Sequence, residues 1–270
     1  MAEFTSHSPG TPSWVDLMTS DVDAAKAFYA AVFGWHFEDQ FDDDGNRIYV
    51  MASLDGKSVA GMGAMPPGSP EGMPSVWNTY ITVDDVDAAA AKVTEGGGTV
   101  MMPSMQIMTS GTMAVFADPT GAAFSVWKPQ DHIGIELGNV ANTLTWNELM
   151  SRDIDISKAF YAEVFGWTYE TGEAMPDYNL IAGGNGGLGG LMAMPAEVPD
   201  MVPSHWVGYF AVADLEASSA LVTENGGQMV TEAMSAPGVG SFATVHDPTC
   251  LLYTSPSPRD QRGSRMPSSA

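Results

Sequence analysis

Positive charge is what this sequence has least of. Its 270 residues carry 10 lysines and arginines against 33 aspartates and glutamates, a formal net charge of -23. A nucleic-acid partner requires basic patches to replace counterions on phosphate, so this balance argues against one. It argues equally against docking on an anionic membrane surface. An acid-rich surface of this kind keeps a protein soluble. Cysteine occurs once, at Cys250, which removes internal disulfides and thiolate metal clusters from consideration. No apolar run approaches the roughly 18–20 residues that a spanning helix needs. The opening residues, MAEFTSHSPGTPSW, show no basic stretch leading into an apolar one, so no signal peptide is read there and a cytoplasmic location is expected. There is no Gly-x-Ser-x-Gly elbow and no P-loop. The glycine run GGNGGLGG at 183–190 does not lead into a helix, so it reads as a bent strand with close backbone approach rather than a phosphate cradle.

What the chain does have is a repeat. The decapeptide KAFYAAVFGW at 26–35 returns as KAFYAEVFGW at 158–167. Its surroundings return with it. PSWVDLMTSDVDAAKAFYAAVFGWHFE matches LTWNELMSRDIDISKAFYAEVFGWTYE, and SVWNTYITVDDVDAAAAKVTEGGGTV matches SHWVGYFAVADLEASSALVTENGGQMV. The chain is therefore a duplication rather than a short-period solenoid. Each half holds two units of its own, and each unit runs from an alternating strand through an acidic turn into a helix and then three strands. Acidic residues at SDVD and DDVD suit the positive end of a helix. Within the first helix, Ala24, Phe28, Ala31 and Val32 recur at helical spacing and predict its buried face. Gly34 and Gly96 fit left-handed helix stops. The repeated decapeptide is thus expected to be core: Phe28, Val32 and Phe33, with Phe160, Val164 and Phe165, hold each first helix to its sheet.

Strand–helix–three strands, together with the FYxxVFGW helix end and the closing DPTGAAFSVW, resembles the vicinal oxygen chelate superfamily. This is the group of glyoxalases, bleomycin-resistance proteins and extradiol dioxygenases. The resemblance covers residues 11–249, and the tandem two-domain actinobacterial members labelled glyoxalase-like or hydroxylase are the nearest in pattern. It implies an α+β fold of two tandem domains, each made of two βαβββ modules whose mixed sheet curls around a cavity. The expected bounds are 11–130 for the first domain, 131–141 for a linker and 142–249 for the second domain. Residues 250–270, CLLYTSPSPRDQRGSRMPSSA, resemble the translation of a DNA sequencing adapter. They are read as an artefactual tail, which leaves the second domain expected to lack its last strand.

The resemblance also places the first and fifth strands of each domain side by side and antiparallel at the centre. Alternation along these strands sends Val15, Leu17 and Val83 toward the helices. It sends Trp14, Asp16, Met18, Asn78, Tyr80 and Thr82 toward the cavity, with Trp146, Glu148, Met150, His205, Val207, Tyr209 and Ala211 as the second set. Metal-dependent relatives take histidine and glutamate ligands from the first, fourth, fifth and last strands. Here those positions hold Trp14 and Trp146, Asn78 and Val207, and Ser125, while the fourth strands, SVAGMGAM and GGLGGLMAM, contain neither acid nor histidine. No metal or other cofactor is therefore expected, a divalent ion being the alternative. Aromatic walls remain: Trp14, Tyr80 and Trp127 in the first cavity, Trp146 and Tyr209 in the second, with Asp16, Asn78 and Glu148 as the polar groups. Such cavities suit a small apolar or aromatic metabolite or antibiotic.

If Trp146 opposes Val207, as the metal positions would require, then Glu148 opposes His205. The pair would then be a candidate catalytic dyad in which the carboxylate orients a general base; Asp16 would meet Val76 instead. His7, His36, His132 and His246 read as terminus, strand edge, linker and rim. Three readings stay open. The first is a small-molecule-binding protein without the family metal. The second is a metal-independent lyase, isomerase or hydroxylase-like enzyme using Glu148 and His205. The third is a duplicated scaffold with vestigial cavities.

Overall fold

Each of the four modules opens with the same local device. An aspartate in extended conformation follows the first strand and accepts a hydrogen bond from the backbone N–H three residues later: Asp21 from Ala24, Asp85 from Ala88, Asp153 from Ile156 and Asp214 from Ala217. This satisfies a donor that the first helical turn leaves orphaned, and it fixes where each helix starts.

The computed structural model describes residues 3–69, 73–172, 175–183, 186–236, 240–249 and 252–256. The first module comprises β1 (Pro12–Thr19), α1 (Val22–Phe33), β2 (His36–Phe41), β3 (Arg47–Leu54) and β4 (Lys57–Ala64). The second comprises β5 (Val76–Thr82), α2 (Val86–Glu95), β6 (Thr99–Ile107), β7 (Gly111–Ala117) and β8 (Ala123–Pro129). The third runs through β9 (Leu144–Ser151), α3 (Ile154–Phe165), β10 (Thr168–Gly172), β11 (Met175–Gly183) and β12 (Gly186–Ala193). The fourth runs through β13 (His205–Phe210), α4 (Leu215–Glu224), β14 (Gln228–Met229), β15 (Met234–Ala236), β16 (Gly240–His246) and β17 (Leu252–Pro256). The strands form two mixed sheets, ordered β2-β3-β4-β1-β5-β8-β7-β6 and β10-β11-β12-β9-β13-β17-β16-β14, with β15 on β16. In each sheet the module-opening strands lie together at the centre and antiparallel, β1 on β5 and β9 on β13.

Four sequence expectations need correction. The second sheet is not one strand short, because Leu252–Pro256 occupies the slot between β13 and β16 that β8 fills in the first sheet. Two flanking strands present unpaired backbone groups there, and an extended segment can satisfy them through its main chain alone. The fit on β13 is slight, with Tyr209 opposite Thr254, where β8 makes three pairs with β5. The buried stripe of α1 is Val22, Ala25, Phe28, Tyr29, Val32 and Phe33, whereas Ala31 faces out. Small alanines on both sides of the helix blur its apolar edge. Gly34 does take the left-handed stop after α1, at φ 69°, but after α2 that role falls to Gly97 rather than Gly96. The glycine run at 183–190 straddles the β11–β12 hairpin rather than forming one bent strand, with Gly183 opposite Gly186, while the close backbone approach expected of it does occur at Gly189, where a Cβ would collide with the Asn147 carbonyl; residues 184–185 lie outside the described residues.

The decapeptide is core and packs on its own sheet, as expected, with Leu17, Val50 and Met62 beside α1 and Leu149, Ile181 and Leu191 beside α3, and it packs on the other repeat as well. Phe28, Tyr29, Val32 and Phe33 of α1 share one cluster with Phe210, Val212, Leu215, Val222 and Val245 of the fourth module. Phe160, Tyr161 and Val164 of α3 share another with Val86, Val93, Phe116 and Phe124 of the second. Glycine makes room for the crossing. A Cβ at Gly227 would come within 2.9 Å of the Phe28 ring, and one at Gly98 within 3.0 Å of the Phe160 ring. The final tryptophans of the decapeptides cross over as well. The Trp35 indole donates to the Asn142 carbonyl at 2.8 Å, and that of Trp167 to the Gly10 carbonyl at 2.7 Å. Both cores thus draw on both repeats.

Candidate functional site

Leu17 pairs with Trp77, whose indole donates to the Tyr29 hydroxyl of α1 at 3.3 Å. That pair marks the helix side of the sheet. The intervening residues Trp14, Asp16, Asn78 and Tyr80 point the other way, as alternation requires. On that face Asp16 lies opposite Asn78 and Trp14 opposite Tyr80. The expected meeting of Asp16 with Val76 does not occur; Val76 pairs with Met18.

Asp16 is 3% exposed and accepts three hydrogen bonds: Asn78 Nδ2 at 2.9 Å on one oxygen, with Tyr80 Oη at 2.8 Å and Tyr49 Oη at 3.0 Å on the other. The Trp14 indole donates in turn to Tyr49 Oη at 3.1 Å. Burial raises the Asp16 pKa above the ordinary carboxylate value, while the bonds from Asn78, Tyr80 and Tyr49 oppose the shift. Tyr49 reaches across β4 only because residue 61 is glycine; a Cβ there would collide with the tyrosine hydroxyl.

The second repeat rebuilds this arrangement. Tyr178 Oη donates to Glu148 Oε2 at 2.7 Å, Tyr209 Oη donates to Oε1 at 2.6 Å, and the Trp146 indole donates to Tyr178 Oη at 2.9 Å. Gly190 stands where Gly61 stands in the first repeat, and a Cβ there would collide with the Tyr178 hydroxyl. Burial again raises the pKa, of Glu148 here, against the bonds from Tyr209 and Tyr178.

The expected Glu148–His205 dyad is not formed. Across β9 and β13, Trp146 pairs with Tyr209, Glu148 with Val207, and His205 with Met150. The register therefore sits two residues from the one that metal ligation would impose. The two-residue step keeps every side chain on its face and changes only its partner. His205 is half-buried, and its Nδ1 donates to the Pro203 carbonyl at 2.9 Å.

The two sites differ in cover. In the first, Trp14 and Trp127 are 4% and 6% exposed. The segment joining the two sheets closes on them. His132 packs edge-on against Trp14, ring centroids 4.4 Å apart, and the Trp127 indole donates to the His132 carbonyl at 2.8 Å. Ile135 N–H donates to the Ser13 carbonyl, and Glu136 N–H to that of Ser58, pinning the segment along the sheet. In the second repeat Trp146, Tyr178 and Tyr209 are each half-buried. Among the described residues no ring packs against Trp146.

Of the residues expected to face the cavities, Trp14, Asp16, Asn78 and Tyr80 join the first hydrogen-bonded group, Trp146, Glu148 and Tyr209 the second, and Trp127 lies beside His132. Tyr49 and Tyr178 were not among those expected. Their signal was present in the duplication, because each third strand carries a tyrosine facing a glycine of the fourth strand at the same spacing in both halves.

Fold and site together define a tandem αβ protein with two aromatic-walled carboxylate sites, one on each curled sheet. The chain belongs to the Glyoxalase/Bleomycin resistance protein/Dioxygenase superfamily, whose family model matches residues 11–126 and again 137–250. CFP32 of Mycobacterium tuberculosis, whose name carries only a provisional glyoxylase assignment, is 44% identical over 264 residues, covering 97% of this chain and all of the relative. The anthracycline biosynthesis protein DnrV of Streptomyces peucetius is 34% identical over 259 residues, 90% of this chain and 92% of the relative. Among solved structures, the Mn(II)-bound glyoxalase of Novosphingobium aromaticivorans superposes with a TM-score of 0.62 at 17% identity, over 95% of this chain and 83% of that one. The 2,3-dioxygenase LapB of Pseudomonas sp. KL28 gives 0.63 at 14% identity, over 92% and 93%. At such identities the structural likeness speaks for the fold alone.

Among the described residues no three His, Cys, Asp or Glu side chains are grouped as a metal would need. The groups around Asp16 and Glu148 are hydrogen-bond donors, Tyr O–H and Asn N–H. They take three lone-pair directions on Asp16 and two on Glu148, and they add no imidazole or second carboxylate. Among the described residues no helix is long and apolar enough to cross a membrane.

Proposed function

We propose that this protein binds a small, partly apolar molecule on the concave face of its second repeat, and does so without the divalent metal of its metal-dependent relatives. The observation that carries this reading is the contrast between two copies of one arrangement. In the first copy the linker residue His132 packs on Trp14 and the aromatic face is buried. In the second, Trp146, Tyr178 and Tyr209 remain half-buried around Glu148. An aromatic pocket with one fixed polar group is the usual form of a small-ligand site. Donor groups, rather than metal ligands, surround both carboxylates, and this supports the metal-free part. The acidic charge balance supports a protein with no nucleic-acid partner.

A second reading is a metal-independent enzyme in which Glu148 moves a proton. It is favoured by the raised proton affinity of that carboxylate and no longer involves His205. A thermal-shift screen of apolar metabolites and antibiotics tests the binding reading, since ligand binding raises the melting temperature by mass action. Hits should lose their effect in Trp146→Ala and keep it in Trp14→Ala. Metal analysis of protein purified without chelator should find a substoichiometric divalent content. Stoichiometric metal, or hits indifferent to Trp146, would overturn the respective parts. Turnover of any hit, abolished by Glu148→Gln, would favour the enzyme.

A further inference from the structure

The two carboxylate sites share a tryptophan and two tyrosines and differ in the acid, Asp16 against Glu148, and in the residue opposite it. In the first repeat the residue opposite the carboxylate is Asn78, which donates the third hydrogen bond to Asp16. In the second repeat the residue opposite Glu148 is Val207, which has nothing to donate. A carboxylate offers about four lone-pair directions. Tyr178 and Tyr209 fill two of those on Glu148, one on each oxygen. The described residues include no ion pair to Glu148, although it is 4% exposed. A buried anion short of both a donor and a counter-charge is costly. The walls beside it are Trp146, Tyr178 and Tyr209, whose ring faces are electron-rich and attract cations.

We infer that the second-repeat pocket takes a ligand bearing a protonated amine on an apolar or aromatic body, with the ammonium N–H donating to Glu148 in the place that Asn78 holds in the first repeat. This rests on the reading of the second repeat as the ligand site and narrows it to a chemical class. Val207 then serves two ends: it leaves the donor position vacant and offers apolar surface to the ligand's body. The first repeat needs no such ligand, because Asn78 completes its carboxylate from within the fold.

The test uses three probes of one shape on the full chain: 2-phenylethylamine, 2-phenylethanol and phenylacetate. Binding is read from the indole N–H resonance of Trp146, assigned with Trp146→Phe. The amine should bind about tenfold or more tightly than the alcohol, as a charge-assisted bond to a buried carboxylate requires. Phenylacetate should not bind. Glu148→Gln should erase the preference for amine over alcohol, and Asp16→Asn should leave it intact. Val207→Asn, which copies the donor of the first repeat into the second, should weaken amine binding and spare alcohol binding. It also covers the case in which Glu148→Gln fails to fold. Equal binding of amine and alcohol, preferred binding of phenylacetate, or an amine affinity indifferent to Val207→Asn overturns the inference while the pocket stands. Silence of the Trp146 resonance to all three probes removes the pocket reading itself.

Discussion

Gly61→Ala isolates the part of this architecture that a sequence profile would rank as trivial. Gly61 and Gly63 lie two residues apart on β4 and face the same side of the sheet. A Cβ at Gly61 would stand 2.5 Å from Cζ of Tyr49 and 2.8 Å from its Cε1, and would overlap the hydroxyl. A Cβ at Gly63 would meet Met18 Sδ at 3.2 Å, the soft end of a flexible side chain that can move aside. In Gly61→Ala the tyrosine ring must leave. Asp16 then loses a hydrogen bond at full burial, a loss of about 1.5–3 kcal/mol for a charged acceptor, and the Trp14 indole loses its acceptor at about 1 kcal/mol. The reduced freedom of the unfolded chain returns about 0.5 kcal/mol. The net of about 2–3.5 kcal/mol corresponds to a fall in melting temperature on the order of 4–14 °C. Gly63→Ala should stay within about 1 kcal/mol of wild type. Urea unfolding followed by near-ultraviolet circular dichroism measures both. On a Tyr49→Ala background Gly61→Ala should cost little, since its effect runs through that ring. If the two alanine variants prove equally stable, or if Gly61→Ala costs as much without Tyr49 as with it, the reasoning fails.

Other perturbations follow from the same contacts. Asp16 and Glu148 both have folded pKa values raised by burial. Their contribution to stability is therefore present below the ordinary carboxylate range and is lost as pH rises through the raised values. Urea titrations across this range should show Asp16→Asn and Glu148→Gln weakening that decline; a parallel wild-type profile would contradict it. His132, held down to about 4 from 6.5 by desolvation, acts with the opposite sign. Stability should fall by up to about 3 kcal/mol as pH drops from 6.5 toward 4, with increased exposure of Trp14 to fluorescence quenchers, and His132→Gln should remove that acid step. Phe160→Ala should cost about 3–5 kcal/mol. Because Phe160 packs in a cluster shared between repeats, calorimetry should show both halves melting earlier in one transition rather than the third module alone.

The sequence alone determined a large part of this protein. The duplicated decapeptide, the aspartates that open each helix and the alternation along β1, β5, β9 and β13 are local signals, and each specifies its element without help from elsewhere in the chain. They were enough to give the four modules, the side of the sheet on which Trp14, Asp16, Trp146 and Glu148 stand, and the superfamily. Tertiary structure decided which residue meets which. Sliding β13 along β9 by two residues preserves every inward and outward position, so the alternation pattern is blind to it; the packed sheet chose the register that separates Glu148 from His205. The same holds for the packing of α1 on α4 and of α3 on α2 across the repeats, for the closure of His132 on Trp14, and for Tyr49 and Tyr178 crossing over glycine to reach their carboxylates. These contacts join residues far apart in the chain through shape and burial, which periodicity along a single strand or helix does not encode.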